Sequence, residues 1–291
     1  MNLLTFDVED WYHTNFPRTD FAGYDRREDH QGLALRLEDL LALCREKGVK
    51  ATFFVLGRLL EKRPDLGERI VEEGHELALH GYEHDLLTEM SPDRFQEELE
   101  KALKAFRRIT GAFPLGFRAP SWSVNGTNLW VLEILERYGF AYDSSLFPVK
   151  NFLYGFPEAP NHPFFPLLEG KVLRLLEIPV PVRRIGPLRL AYSGGIFFSL
   201  WPLWMIRLFS EATTDQGGPC LFYFHPWDLW KRSARQTRQL KARWINLHLG
   251  DTLDKFRRLL DAYPLGSIAG SLDALKEKAG VERIGGDSHE G

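Results

Sequence analysis

The sequence predicts an α/β chain folded as a closed or nearly closed barrel. Three observations carry that expectation. Short apolar runs without polar alternation, as in strands buried on both faces, alternate with stretches whose apolar residues recur at helical spacing. This strand–helix beat repeats some six to eight times, which calls for a parallel sheet with helices outside it. The length of 291 residues, with 44% hydrophobic and 13% aromatic content, exceeds an ordinary domain but suits one large barrel core.

The elements follow in order. "NLLTFDV" (2–8) reads as a buried strand, and the polar stretch 15–31, with Pro17 and Gly23, as a loop. Leu33, Leu37, Leu40, Leu41 and Cys44 mark a helix that Gly48 stops. "KATFFVLG" (50–57) is a second strand. A helix over about 63–73 ends at Gly74, and "HELALH" (75–80) is a third strand. Ser91 and Pro92 open a helix that runs to about Ile109 and stops at Gly111. "LGFRAP" (115–120) is strand-like, Asn125–Gly126 a turn, "TNLWVLEILERYG" (127–139) a helix, and "FAYDS" (140–144) a strand. Prolines then accumulate, from Pro148 to Pro187, and predict an irregular insert near 148–195 with short strands such as "VLRLLEIPV". Regular grammar returns with a helix near 200–212, the strand "CLFYFH" (220–225), a helix near 250–262, the strand "GSIAG" (266–270) and a helix capped by Ser271. One catalytic domain is expected over 1–284, with a frayed tail at 285–291.

Charge is near balance, with 37 basic and 40 acidic residues, so nothing marks a nucleic-acid binder. Cys44 and Cys220 lie far apart in apolar contexts and read as buried free thiols. No window reaches the roughly 20 apolar residues of a membrane helix. The most apolar stretch, 194–209, contains Pro202 and Arg207 and reads as a buried helix before a membrane-surface one. With no secretory signal visible, the cytoplasm is the expected compartment. Oligomeric state is not legible.

Active sites of such folds gather at the C-terminal ends of the strands. There the first strand delivers Asp7, Glu9 and Asp10, the third His80 with His84 four residues on, the fourth Arg118, the fifth Asp143, and the late strand His225. Two histidines at i and i+4 share one face of a helical turn and can grip one divalent ion, and a carboxylate from another strand would complete an open, catalytic site. His225 suits general acid–base work, since imidazole titrates near neutrality. The Arg118 guanidinium could orient an ionised Asp. His30, His75, His162, His248 and His289 carry no pattern and read as structural or solvated.

These residues resemble the polysaccharide deacetylases of the NodB-homology type, carbohydrate esterase family four. "TFDVED", "HGYEH", "RAPSW", "YDSSLF" and "LFYFHPW" are similar to that family's five motifs and occur in their order over residues 3–228. The combination "DVEDWYH", "YSGG", "FHPWDL" resembles the subgroup found beside exopolysaccharide and exosortase loci. The resemblance implies a distorted (β/α) barrel of about seven strands and removal of N-acetyl groups from an amino-sugar polymer or oligomer by a divalent metal, zinc first; His and carboxylate ligation also admits cobalt, nickel or iron. It implies Asp7 as base, His80 and His84 as metal ligands, and Arg118 holding Asp7. Asp143 would support the acid or shape the pocket, and His225 would be the general acid. A backbone N–H from the segment after Arg118 would serve the oxyanion. Pro120 would line the sugar site, and the aromatics Trp11, Tyr12, Trp122 and Trp227 could stack on sugar rings there or, equally, pack in the core.

Three departures stand out. Gly81 replaces the Ser or Thr of the metal motif, Phe147 stands near the place of a Trp, and the paired acids are spread into Asp7, Glu9 and Asp10. Strand alternation puts Glu9 on the face of Asp7. Asp10 is favoured as the metal carboxylate for its shorter side chain at a turn, with Glu9 the alternative. Two other functions compete: a C–N hydrolase acting on a small non-sugar amide or cyclic ureide, and an inert carbohydrate-binding relic.

Overall fold

A computed structural model describes residues 1–9, 31–149, 155–215, 218–229 and 252–285. The first strand, β1 (Asn2–Val8), alternates strictly: Leu4, Phe6 and Val8 join the outer core, while Leu3 joins the inner one and Thr5 and Asp7 follow it on that face. Helix α1 (Gln31–Glu46) buries Leu33, Leu37, Leu40, Leu41 and Cys44 and stops at Gly48, whose φ of 64° needs no Cβ. Strand β2 (Thr52–Val55) follows, then two short helices, α2 (Gly57–Lys62) and α3 (Pro64–Glu72), where the sequence reading expects one. Pro64 makes the break, since its ring cannot continue α2 but suits the first turn of α3.

Strand β3 (Glu76–Leu79) leads through the His80–His84 loop to α4 (Pro92–Thr110), capped by Ser91 Oγ accepting the Arg94 N–H at 3.3 Å. Strand β4 (Gly116–Phe117), helix α5 (Trp130–Tyr138) and strand β5 (Tyr142–Asp143) come next. The proline-rich stretch holds β6 (Phe164–Leu168), β7 (Lys171–Val172), β8 (Leu176–Glu177) and the hairpin β9 (Val182–Ile185) with β10 (Leu188–Ala191). The apolar stretch 194–209 splits at Pro202 into α6 (Gly195–Leu200) and α7 (Leu203–Asp215). Strand β11 (Cys220–Phe224), α8 (Thr252–Ala262), β12 (Leu265–Gly266), α9 (Leu272–Lys278) and β13 (Gly280–Arg283) complete the described chain.

The sheet runs β11-β1-β2-β3-β4-β5-β8, seven strands in parallel register, and continues antiparallel into β6. It wraps on itself: the inner core unites Leu3 of β1, Phe54 of β2, Leu176 of β8 and Leu221 and Tyr223 of β11. The ladder does not close among the described residues, and Gly194 bridges to Tyr223 at the outer edge of β11. This is the expected distorted barrel, with one correction. The stretch 148–195 is no simple excursion, because β8 within it is the seventh barrel strand. The expected strand at 266–270 shrinks to β12, which takes the edge of β1 that β2 leaves open at Asn2 and Leu3. Both cysteines are buried and free. Among the described residues no helix is long and apolar enough to cross a membrane.

Candidate active site

The strand ends bring Asp7, Glu9, His80, His84, Arg118 and His225 together at one mouth of the barrel. Asp7 is buried, and its Oδ1 accepts from Arg118 Nη1 at 2.7 Å. Arg118 is fully buried and every arm is held: Nη1 also donates to Thr5 Oγ1 (2.9 Å), Nη2 to Ser144 Oγ (2.9 Å) and Nε to Ser144 O (3.2 Å). Its guanidinium lies 4.1 Å above the Phe54 ring. A guanidinium so fixed presents Asp7 in one orientation.

Glu9 continues the inner face of β1, as alternation requires. Its Oε2 meets His84 Nε2 and lies 4.0 Å from His80 Nε2, while Oε1 lies 3.5 Å from His225 Nε2. One donor atom each from Glu9, His80 and His84 falls within a 4.8 Å cluster, and all three residues are buried. Burial pushes the Glu9 carboxyl up, but the charges of His84, His225 and His80 outweigh it and bring it to about 2. Burial holds His80 down at about 4.

The His80 tautomer is fixed by chemistry. Its Nδ1 lies 2.9 Å from the Arg118 carbonyl, which only accepts, so Nδ1 carries the hydrogen. Nε2 of the neutral ring is then a lone pair aimed at a carboxylate. A cation between them reconciles the two, so the donor set fits a divalent ion held by two imidazoles and one carboxylate. Asp10, favoured for that role from sequence, lies outside the described residues, as does Trp11.

The His80–His84 pair corrects an expectation: it sits on a loop, not a helical turn. Gly81 (φ 76°) and His84 (φ 66°) are both left-handed, which folds His84 back beside His80. The loop is pinned from α2, where the Gly57 N–H donates to Gly81 O (2.9 Å) and the Arg58 N–H to Tyr82 O (3.1 Å). A Cβ on Gly81 would stand 3.1 Å from Pro120 Cγ, so the family hydroxyl residue has no room here.

His225 ends β11 level with Asp7. Its backbone N–H and its Nδ1 both bond Asp228 Oδ2 at 2.9 Å, and the Trp227 ring stacks on the imidazole at 4.5 Å. Burial lowers the His225 pKa, but Asp228, then Glu9 and Asp7, raise it to about 9. The residue supporting His225 is therefore Asp228, where the resemblance pointed to Asp143. Asp143 shares a sheet face with its register partner Phe117 of the outer core, and its Oδ1 accepts from Ser145 Oγ at 2.6 Å.

One open expectation is decided. Trp122 is not an exposed stacking platform. Its ring is buried against Tyr223 (4.6 Å) and Phe147 (5.4 Å), because Ser121 (φ 51°) and Trp122 (φ 46°) turn the chain inward. The Ala119 N–H after Arg118 is taken by Ser145 Oγ (2.8 Å). Pro120 is buried against the metal loop. The sequence reading missed Asp228, Ser144 and Glu177. Asp228 had a signal, an acid three residues after a histidine in a turn, and Glu177 had another, a lone acid inside an apolar run.

Fold and site together define a barrel-mouth centre of carboxylates, imidazoles and a clamped arginine. Residues 30–142 match the family described as polysaccharide deacetylase. Residues 144–272 match a domain of unknown function, DUF3473. The chain is 39% identical over 97 residues to the peptidoglycan deacetylase-like protein FGM2 of Gibberella zeae, covering 33% of this chain and 28% of that protein. It is 35% identical over 108 residues to a peptidoglycan deacetylase of Helicobacter pylori, covering 37% of this chain and 36% of that protein. The chain thus spans about a third of the length of these relatives. Among solved structures, a Mycobacterium smegmatis chain assigned as a polysaccharide deacetylase superposes with a TM-score of 0.60 at 23% identity, over 95% of this chain and 90% of that one. Puue allantoinase superposes with 0.56 at 14% identity, over 91% and 85%. Both show the fold.

Proposed function

We propose that this protein is a metal-dependent N-deacetylase, hydrolysing the acetamide of amino-sugar residues in a polysaccharide or oligosaccharide and releasing acetate. The observation that carries the reading is the His80 Nε2 lone pair facing the Glu9 carboxylate beside His84. A divalent ion held by Glu9, His80 and His84, zinc in our reading, supplies a Lewis acid and acidifies the attacking water when bound. Asp7, oriented by Arg118, takes the proton of that water. His225, kept protonated near neutrality by Asp228, gives a proton to the leaving amine, which departs poorly without one. Trp227, against His225, offers a face for a sugar ring. One catalytic unit spans 1–284 in this reading, and the resemblance of the "DVEDWYH", "YSGG", "FHPWDL" combination to the subgroup found beside exopolysaccharide loci supports an exopolysaccharide as the polymer.

His80→Ala tests this on N-acetylglucosamine oligomers. Bound zinc, read by elemental analysis, and acetate release should both vanish. Full activity in that variant refutes the assignment. A wild-type protein that opens a cyclic ureide and releases no acetate favours the allantoinase-like alternative.

A further inference from the structure

Beside the Arg118 clamp, β5 and β8 place two acids side by side, Asp143 and Glu177, in parallel register. Both are fully buried. Glu177 Oε1 accepts the Leu146 N–H (3.0 Å) and Asp143 Oδ1 accepts from Ser145 Oγ (2.6 Å). No N–H or hydroxyl of the described residues reaches the two remaining oxygens, Asp143 Oδ2 and Glu177 Oε2, and the two carboxyls meet each other. Two adjacent buried carboxylates cannot both ionise, so one proton joins them. Burial, joined by the charge of Asp143, pushes Glu177 well up.

What this pair holds is the turn after β5. The single Ser145 proton goes to Asp143, so Ser145 Oγ is free to accept the Ala119 N–H (2.8 Å). The single Ser144 proton goes to the Ile178 carbonyl (2.8 Å), so Ser144 Oγ accepts from Arg118 Nη2. Both serines are thereby oriented from β8, one through the Glu177–Asp143 pair and one through the carbonyl of the next residue.

Resting on the function proposed above, we propose that Glu177 is a positioning residue: bound to Asp143 and the Leu146 N–H, it fixes the 144–146 turn, in which Ser144 holds the Arg118 guanidinium against Asp7 and Ser145 holds the N–H of the next residue, Ala119. The test uses the full chain loaded with zinc, N-acetylglucosamine oligomers, and the variants Glu177→Leu and Glu177→Gln. Glu177→Leu should lower kcat about 100-fold, the scale of a 1 Å misplacement, with KM and bound zinc within about twofold. In Glu177→Gln the amide donates to Asp143 and the oxygen still takes Leu146, so kcat stays within about threefold. If Glu177→Leu does not fold, Ser144→Ala, which keeps the pair but cuts one Arg118 bond, should lose about tenfold in kcat at unchanged KM. Infrared difference spectra supply a readout independent of turnover: a protonated-carboxyl C=O band of the wild type disappears in Glu177→Gln. Wild-type kcat in Glu177→Leu or in its Ser144→Ala stand-in, Glu177→Gln as impaired as Glu177→Leu, or a carboxyl band untouched by Glu177→Gln overturns the proposal. A wild type that releases no acetate fails the functional reading instead, and the infrared band then decides the pair alone.

Discussion

Gly81 should resist restoration of the hydroxyl residue that the metal motif of the deacetylases carries. In Gly81→Ser, the left-handed backbone (φ 76°) costs a side-chain-bearing residue about 1–2 kcal/mol. The new Cβ meets Pro120 Cγ and Cδ at 3.1 and 3.2 Å, and Pro120 is itself buried, so overpacking adds roughly 1–2 kcal/mol. The sum, about 2–4 kcal/mol, lowers the melting temperature of a chain this size by roughly 5–15 °C. Gly81 lies between His80 and His84, the two imidazoles proposed to hold the metal, and its carbonyl takes the Gly57 N–H, so relief of the clash moves His80 or His84, and zinc affinity should fall about tenfold. Differential scanning calorimetry with and without zinc, alongside competitive zinc titration, measures both. Gly81→Ala separates backbone strain from hydroxyl chemistry and should lose nearly as much. A Gly81→Ser protein that melts at or above the wild type, with undiminished zinc binding, would refute the reasoning.

Asp228→Asn should spare zinc binding and KM but lower kcat about 10- to 100-fold at neutral pH, since Asp228 is the main group raising His225. The alkaline limb of its kcat/KM profile should move to lower pH, and an unmoved limb would count against Asp228. His75, buried and accepting the Ala51 N–H at 3.1 Å, is held by burial near 4, below its unfolded value of 6.5. Between those values only the unfolded chain binds the proton, so stability is intact above about pH 6.5 and falls by up to about 3 kcal/mol as pH drops toward 4. Urea unfolding across that window should be flatter in His75→Phe than in wild type, and parallel curves would refute the assignment.

How far the site was legible follows from which forces set each part. Strand ends are written in apolar runs, so Asp7, Glu9, Arg118 and His225 could be sent to one barrel mouth from sequence, and alternation put Glu9 beside Asp7. The His80–His84 pair was legible as a pair but not as a loop, because its shape depends on left-handed φ values and on N–H groups of α2 contributed from elsewhere in the chain. Trp122 illustrates the same limit: its type suits a sugar platform, but two consecutive left-handed residues turn it into the barrel. The partner of His225 was misread because an acid three residues away competes on local geometry with one from another strand, and the local one wins at 2.9 Å. The strand within "VLRLLEIPV" was legible, but not its place as the barrel rung β8, because prolines on both sides mark an irregular stretch and the sheet, not local propensity, holds those two residues in place.

Strand β8 also bears on the seam between the two matched stretches, which falls between residues 142 and 144. That seam cuts through β5, whose neighbours are β4 on one side and β8 on the other. Neither stretch contains the whole barrel sheet: β2 to β4 lie in the first, β8 and β11 in the second, and β1, between β11 and β2, lies in neither. The inner core draws Phe54 and Ala78 from one stretch and Leu176, Ile178 and Tyr223 from the other, so separating them would expose that core on both sides. The site is divided the same way. His80, His84 and Arg118 come from the first stretch, Ser144, Glu177, His225 and Asp228 from the second, and Asp7 and Glu9 from the strand before both. A guanidinium fully buried among Thr5, Asp7 and Ser144 is stable only when all three segments are folded around it, since an unpaired buried charge costs several kcal/mol. The stretch of unknown function therefore supplies one wall of the barrel, the brace of the arginine clamp, and the imidazole that faces Glu9.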